Sequence, residues 1–285
     1  MKSYYCFLII LFLFFGKHTR SQEDTFEYLL KSPMNEIVLD LIEDNHFNIY
    51  FCGHLSSIDQ PNDLNGFIVK LDKYGRFKDS IHIVVSEKSN SINKLLLKGN
   101  NEFALIDAYF DNSGFYRNSG IFLCNMDSLL HLTSYRYYNF PDSLNLLHVD
   151  ANLDSSGNLL SGITFVLPPQ NPRAYLYEFN SNFDSTKARF FPGESKLITH
   201  PYKLPDHQYW FINSILNRYE LLDSNFTAIT TQKVPEGILS NYGLNWDSDS
   251  TFYLLGGQAF SSLPYTLAFI RQNHPIDTTG YLFNH

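Results

Sequence analysis

The sequence predicts an all-β protein made of repeated four-stranded sheets. Three observations support this prediction: strand-like runs recur along the chain, the turns between them keep a period of about 50 residues, and helical periodicity is absent. The first turn of each repeat lies at one of five residues: Asp44, Gly99, Ser156, Asp206 and Ser248. The strand after that turn ends on a small residue: Gly53, Ala108, Gly162, Ser214 and Gly256. Because the two series keep one period, we expect a β-propeller of about five four-stranded blades.

The first unit shows the four-strand pattern most completely. Its runs are rich in Ile, Val, Phe and Tyr and are bounded by Asp, Asn and Gly, which is typical of strands and turns. In chain order the runs cover 36–42, 47–53, 66–71 and 76–83. We expect them to pair as an antiparallel meander, because consecutive strands joined by short connections pair in this way.

The four later units repeat this order of elements. Their third strands are expected at 121–124, 175–179, 219–222 and 267–270, each followed by a tight polar turn. Their fourth strands are expected at 130–137, 186–191, 226–232 and 278–283. A β-sandwich has no reason to keep a fixed period, and the coil of a β-solenoid is usually shorter, so the propeller is favoured over both. The fourth unit fits least well, with only 216–218 between its second and third strands.

Closure of the ring is an open question in the sequence. Residues 25–30 read as one more outer strand ahead of the first unit, although the fifth unit already has an outer strand of its own. Either this N-terminal strand docks beside the last blade, or further blades once followed the fifth unit, so that the ring of five blades is incomplete.

The first unit also resembles the repeat of a known group of exported proteins. Tyr50-Phe-Cys-Gly53, followed by Gly66-Phe-Ile-Val-Lys-Leu-Asp-Lys-Tyr-Gly75, is similar to the repeat of secreted bacterial β-propeller proteins of the SBBP type. That repeat has a strand ending in Gly before a Phe-Val-Lys-Leu-Asp-x-x-Gly hairpin. Leu254-Leu-Gly-Gly257 resembles a kelch blade, without the downstream Tyr and Trp that a kelch blade carries. The resemblance implies a propeller fold and export, and it supplies no shared catalytic residues.

The first 21 residues have the pattern of a secretory signal peptide. Lys2 precedes an apolar run at 6–15, which is too short to span a bilayer, since a span needs about 20 residues. We expect cleavage before Gln22 and a single domain over 22–285, with no membrane span after signal removal. The product is expected to be secreted, in the periplasm, at the cell surface or outside the cell.

The mature chain is acidic, because removal of residues 1–21 leaves 18 basic and 29 acidic residues. This balance makes nucleic acid and an anionic membrane poor partners. Only Cys52 and Cys124 remain, which is too few for a disulfide framework. We therefore expect buried free thiols and a core of Phe, Tyr, Leu and Ile.

No pattern in the sequence predicts a catalytic residue, a metal site or a cofactor. The histidines fall at different positions of the repeat, so we expect no convergence among them: His46, His82, His131, His148, His200, His207 and His274. The acidic stretches at 111–114, 154–157 and 247–249 resemble fragments of calcium loops. They lack the full spacing of oxygen ligands, so β-turns are expected there instead.

The connections suggest where a ligand binds. In an antiparallel meander the first and third turns share one face of the disc, here called the tight-turn face, and these turns are short. The second connections share the opposite face, here called the long-connection face, and are long at 55–65, 110–119, 164–173 and 258–265. Long loops on a rigid scaffold often carry binding groups. We expect the ligand contacts at aromatic and Arg residues of these loops: Tyr116, Arg117, Arg173 and Tyr265.

Two functions remain open. The favoured one is a secreted binding or scaffold protein that presents its variable loops to a protein or glycan partner at the cell surface. The alternative is a secreted polysaccharide hydrolase or lyase with a site at the mouth of the propeller channel, which needs paired carboxylates. An enzyme's acids should recur on the innermost strands, and the sequence shows no such clustering.

Overall fold

The computed structural model describes fourteen stretches of the chain. They are 34–60, 63–85, 88–99, 101–111, 119–140, 145–166, 172–191, 196–204, 206–216, 218–233, 244–248, 251–256, 266–271 and 281–282. These residues form strands, turns and loops, with no helix among them. The signal peptide and the strand expected at 25–30 lie outside the described residues, so export and ring closure stay predictions.

The strands form five four-stranded sheets, numbered here as blades 1 to 5. Blade 1 contains β1 (Asn35–Glu43), β2 (Ile49–Ser56), β3 (Leu64–Leu71) and β4 (Phe77–Ile83). Blade 2 contains β5 (Lys88–Gly99), β6 (Glu102–Asp111), β7 (Gly120–Asp127) and β8 (Leu132–Asn139). Blade 3 contains β9 (Asn145–Leu153), β10 (Leu159–Val166), β11 (Arg173–Phe179) and β12 (Ser185–Phe191). Blade 4 contains β13 (Ile198–Lys203), β14 (Tyr209–Asn213), β15 (Arg218–Leu222) and β16 (Ala228–Lys233), and blade 5 contains β17 (Leu244–Ser248), β18 (Thr251–Gly256), β19 (Thr266–Arg271) and β20 (Tyr281–Leu282).

Each blade is an antiparallel meander in which a strand pairs with the strands before and after it. The predicted all-β fold of five four-stranded units is therefore confirmed. The fourth strand of blade 2 starts at Leu132 and not at the predicted residue 130. The reason is local: Leu130 belongs to the preceding turn, where its φ is 64°.

The first strands of blades 1 to 4 lie towards the centre of the molecule. β5 packs against β1, β2 and β3, β9 packs against β5 and β6, and β13 packs against β9 and β10. We call β1, β5, β9 and β13 the inner strands. The fourth strands are peripheral, and β8 is exposed along nearly its whole length. The inner strands therefore border the central channel that a propeller encloses.

Apolar cores fill the space between neighbouring blades. Ile92 and Leu105 lie between blades 1 and 2, Ile106 and Phe165 between blades 2 and 3, and Phe211 between blades 3 and 4. The small residue predicted at the end of the second strand permits this packing in blade 3, although Gly162 lies inside β10, which continues to Val166. A Cβ atom on Gly162 would lie 2.3 Å from Cγ2 of Ile198 on the next inner strand. The predicted role of glycine in a close approach is thus confirmed at this position.

A five-residue turn recurs on the tight-turn face. In blade 1 the Asp72 N–H donates to Arg76 O, the Gly75 N–H donates to Asp72 O, and Asp72 Oδ1 accepts the N–H groups of Tyr74 and Arg76. The fourth residue of the turn has a positive φ, which is 74° at Gly75. The same backbone pattern starts at Asp44, Asp127, Asp154, Asn180, Leu204 and Asp223. Asp154 is therefore a turn residue, as predicted, and its Oδ1 accepts the N–H groups of Ser156 and Asn158.

Three of these turns connect one blade to the blade before it. Each has a bulky apolar residue with positive φ that is buried in the interface: Leu130, Phe183 and Phe226. A lysine of the preceding blade donates from Nζ to the carbonyl oxygen of the second turn residue. The pairs are Lys70 with Ser128 at 2.7 Å, Lys98 with Ser181 at 3.3 Å, and Lys187 with Ser224. We call each apolar residue with its lysine contact a turn clasp.

Cys52 and Cys124 are buried free thiols, as predicted. Burial raises the pKa of Cys124 to about 12 and also raises the pKa of Cys52. Both thiols therefore stay protonated at neutral pH and pack as small apolar groups.

Candidate functional site in the channel

Charged and imidazole side chains meet on the four inner strands. Lys94 of β5 places Nζ 3.6 Å from Asp40 Oδ1 on β1 and 3.7 Å from Asp150 Oδ1 on β9. His200 of β13 lies next to Asp150, with Nδ1 3.5 Å from Oδ2. His148 is two residues from Asp150 on β9 and so lies on the same face of that strand. We call these five residues, Asp40, Lys94, His148, Asp150 and His200, the channel cluster.

Irregular pairing of the inner strands occurs at the level of the cluster. The register between the first and second strands shifts between Val38 and Asp40, between Ile92 and Lys94, and beside Leu147. In β13 it shifts between Thr199 and Tyr202, and His200 within this irregularity has a φ of 52°. Bulges of this kind turn a side chain away from the regular alternation and are common next to functional sites. The bulges let charged side chains of different inner strands meet in the channel cluster, although the regular alternation of side chains along each strand would not place them together.

Backbone amide groups orient both carboxylates. Asp40 Oδ2 accepts the N–H of Leu95 at 2.9 Å, and Asp150 Oδ2 accepts the N–H of His200 at 2.7 Å. In each case the donor belongs to the inner strand of the following blade. Each carboxylate thus joins two neighbouring blades and is held in a fixed orientation towards Lys94.

The two carboxyl groups titrate in opposite directions. Burial, opposed by Lys94, raises the pKa of Asp40. Burial also acts to raise the pKa of Asp150, but the nearby Lys94, His200 and His148 hold it below its ordinary value. Burial acts to lower the pKa of Lys94, and Asp150 and Asp40 overcome this and raise it. The cluster therefore contains one stable ammonium between a readily protonated carboxyl and a firmly ionised one.

Both imidazoles are neutral at pH 7. Burial lowers the pKa of His148 and of His200 although the charge of Asp150 opposes this effect. The Nε2 atom of His148 is buried and has no hydrogen-bond partner in the protein. A neutral imidazole can accept a proton or hydrogen-bond to a ligand, so the histidines add binding and proton-transfer capacity to the cluster.

The sequence prediction that the histidines do not converge and that acids do not cluster on the innermost strands was wrong. His148 and His200 meet at Asp150, and Asp150 and Asp40 share Lys94. The sequence did contain a signal for the convergence of these residues. Asp40, Asp150 and His200 each stand four residues before the first residue of the tight turn, which is Asp44, Asp154 or Leu204. Ser156 and Asp206, the residues that mark the repeat in blades 3 and 4, lie two residues after the first turn residues Asp154 and Leu204, so the shared spacing was hidden.

The predicted ligand-binding residues are largely outside the described part of the chain. Tyr116, Arg117 and Tyr265 fall in undescribed stretches. Arg173 is the first residue of β11 and pairs with Phe165 of β10, at the long-connection end of blade 3. It is partly buried and is not a member of the channel cluster. The loop site therefore stays a prediction.

In the described stretches of the chain, no group of three or more His, Cys, Asp or Glu side chains is arranged to hold a metal ion. Within the same stretches no helix is long and apolar enough to cross a membrane.

No family model and no curated protein matches the chain. Solved structures do match. A protein of unknown function from Bacteroides caccae has a TM-score of 0.59 at 11% identity over 90% of this chain and 85% of its own. The α-L-arabinanase of Penicillium chrysogenum complexed with arabinobiose has a TM-score of 0.58 at 8% identity over 80% of this chain and 72% of its own. The polysaccharide lyase Uly1 has a TM-score of 0.52 at 14% identity over 82% of this chain but only 57% of its own. At these identities the likeness shows the fold, and that fold is a β-propeller.

Proposed function

We propose that the protein is a glycoside hydrolase that cleaves a neutral polysaccharide in the channel of the propeller. The observation that carries this proposal is the pair Asp40 and Asp150. These two carboxylates contact one ammonium and have pKa values displaced in opposite directions. Two carboxyl groups whose environments separate their pKa values are the usual acid and base of glycoside hydrolysis.

The pKa directions assign the roles. Asp40 keeps its proton to higher pH than an ordinary aspartic acid, so it is suited to protonate the glycosidic oxygen. Asp150 remains ionised, so it is suited to activate water or to attack the anomeric carbon. Lys94 contacts both carboxyl groups and limits the repulsion between them.

The charge of the cluster favours hydrolysis over elimination. Elimination from a uronic acid requires positive charge that stabilises the developing charge next to the sugar carboxylate. Here the one ammonium is already shared by two carboxylates, and both imidazoles are neutral. An anionic sugar would therefore meet no excess positive charge, whereas a neutral sugar meets a polar site without repulsion.

The comparisons support the proposal at the level of the fold, because an arabinanase and a polysaccharide lyase share it. The binding-protein hypothesis rests on four candidate contact residues in the loops, and Arg173 is the one among them that the structure describes. In the proposal these loops on the long-connection face hold the polysaccharide, and Tyr116, Arg117, Arg173 and Tyr265 remain the candidate contacts. The SBBP-type resemblance and the signal peptide support a secreted enzyme that meets its substrate outside the cytoplasm.

The test is release of reducing ends from neutral polysaccharides by purified protein covering residues 22–285. We expect Asp150→Asn and Asp40→Asn each to lower the rate by about 10²- to 10⁴-fold, because each removes one partner of acid–base catalysis. Asp79→Asn is the matched control, since Asp79 is exposed on β4 and far from the inner strands in the blade. Circular dichroism checks that the variants are folded. Wild-type rates in both inner-strand variants, or no release from any neutral glycan, would contradict the proposal.

A further inference from the structure

His148 is the one member of the channel cluster with a buried nitrogen that the protein leaves unpaired. Its Nε2 atom has no hydrogen-bond partner, whereas Asp40, Asp150 and His200 all have partners within the cluster or in the backbone. Buried polar atoms are nearly always hydrogen-bonded, so an unpaired one in a candidate site indicates a ligand contact. Asn93, next to Lys94 on the neighbouring inner strand, also buries an amide oxygen without a partner.

The position of His148 is fixed by the fold. It pairs with Thr164 of β10, and the unpaired residue Leu147 beside it forms the bulge of β9. The imidazole is close enough to Asp150 and Lys94 for both charges to act on its pKa. A group bound at Nε2 would therefore lie beside the proposed base, Asp150, and beside the lysine that also contacts Asp40.

The surroundings of Nε2 select the chemistry of that group. The charges of Asp150 and Lys94 both reach His148 and oppose each other there, so neither an anion nor a cation is favoured and an uncharged group is preferred. The neutral imidazole presents either an N–H or a lone pair at Nε2, and a hydroxyl can pair with either one.

We propose that His148 is a substrate-binding residue that hydrogen-bonds through Nε2 to a hydroxyl group of a neutral sugar next to the scissile bond. This inference rests on the proposed function for the identity of the site. The inference goes beyond the proposed function because it names the group that recognises the sugar and excludes acidic sugars from that position.

The experiment measures binding separately from turnover. Calorimetry on Asp150→Asn protein uses neutral xylo-, arabino-, galacto- and gluco-oligosaccharides as probes, with oligogalacturonate as the anionic comparison. His148→Gln and His148→Asn are then added in the same background. The Gln amide reaches the place of Nε2, and the shorter Asn amide reaches only the place of Nδ1, so the two variants separate loss of the hydrogen bond from a general change of the site. His207→Asn is the control, because His207 is an exposed residue of a tight turn.

We expect at least one neutral oligosaccharide to bind and oligogalacturonate not to bind. His148→Asn should weaken that binding by about three- to tenfold, the usual effect of one neutral hydrogen bond, and His148→Gln should restore most of it. His207→Asn should bind as the parent does. Equal binding by His148→Asn and the parent, or preferred binding of oligogalacturonate, would overturn the inference.

The outcomes also separate this inference from the proposed function. If wild-type protein hydrolyses a neutral glycan but His148→Asn binds it unchanged, hydrolysis stands and the role of His148 fails. If a neutral glycan binds in a His148-dependent manner and is never cleaved, the role of His148 stands and hydrolysis fails. Absence of binding to every neutral probe overturns the inference.

Discussion

At the scale of single residues, the channel cluster shows that one repeat position acquires different chemistry in different blades. The position four residues before the first tight turn holds Asp40 in blade 1, Asp150 in blade 3 and His200 in blade 4. In blade 2, Leu95 contributes its backbone N–H, which binds Asp40. Asp40 and Asp150 are the same residue type at the same position, yet burial and the neighbouring charges displace their pKa values in opposite directions. Environment, more than position, decides the role of each carboxyl group.

Another buried carboxyl group predicts a pH-dependent stability. Asp107 of β6 is fully buried, and burial raises its pKa to about 7, although Asn90 Nδ2 and the Ser91 N–H donate to it. From about pH 4 to about pH 7 the folded chain therefore keeps a proton that the unfolded chain has lost. Between about pH 4 and about pH 7 the free energy of unfolding should therefore fall as the pH rises, by on the order of 4 kcal/mol in total.

Urea unfolding of wild type and Asp107→Asn across this pH range measures the effect. Asn has the size of Asp and cannot ionise, so the fall should be absent in the variant. Asp79→Asn, which changes an exposed residue, should keep the wild-type dependence. The same pH dependence in Asp107→Asn as in wild type would show that Asp107 does not hold the proton.

At the scale of secondary-structure elements, the tight turns both end the strands and join the blades. An Asp or Asn at the first position of six of the seven turns accepts backbone N–H groups, which explains why these residues mark the repeat so clearly in the sequence. The turn clasps add an apolar residue with positive φ, which a side chain larger than glycine adopts only at a cost. Burial between blades offsets that cost at Leu130, Phe183 and Phe226.

A pair of glycine substitutions tests this balance. Phe183 and Phe47 are each the fourth residue of a five-residue turn, in blade 3 and blade 1, with φ of 63° and 62°. Phe183 is buried, whereas Phe47 is 62% exposed. Phe183→Gly should lower the free energy of unfolding by about 2–4 kcal/mol, because the loss of burial exceeds the relief of strain. Phe47→Gly should leave it unchanged or raise it by up to about 1 kcal/mol, because only strain is lost. Urea unfolding gives both values, and equal losses in the two variants would refute the contribution of burial in the clasp.

At the scale of the whole molecule, the five-blade fold could be predicted, whereas for the channel cluster the sequence holds only the shared spacing of Asp40, Asp150 and His200 from their turns. Turn residues act locally, so Asp72 to Gly75 and the small residue Gly162 are visible in the sequence without knowledge of their neighbours. The cluster depends on contacts between blades that are about 50 residues apart and on bulges that interrupt the alternation of the inner strands. Neither the bulges nor the convergence on Lys94 leaves a local pattern. The loop site at Tyr116 and Arg117 remains a prediction because those residues are outside the described stretches.

Ring closure by residues 25–30 is a prediction about the whole molecule that the described residues leave open. If this segment supplies a strand beside the last blade, deletion of residues 22–31 should lower the melting temperature by several degrees, because the blade loses backbone hydrogen bonds and buried area. Deletion of residues 22–24 alone is the matched control and should have no effect. A melt unchanged by the longer deletion would reject closure by this strand.

The roles of Asp40 as the acid and Asp150 as the base can be tested by the dependence of kcat/KM on pH for a neutral polysaccharide, in wild type and in Lys94→Met. We expect a bell-shaped profile whose acidic limb reports Asp150 and whose alkaline limb reports Asp40. Lys94 lowers the pKa of both groups, so its replacement by an uncharged side chain of similar length should move both limbs to higher pH. A profile with a single limb, or a Lys94→Met profile that coincides with that of wild type, would contradict the assignment of Asp40 and Asp150 as the acid and base.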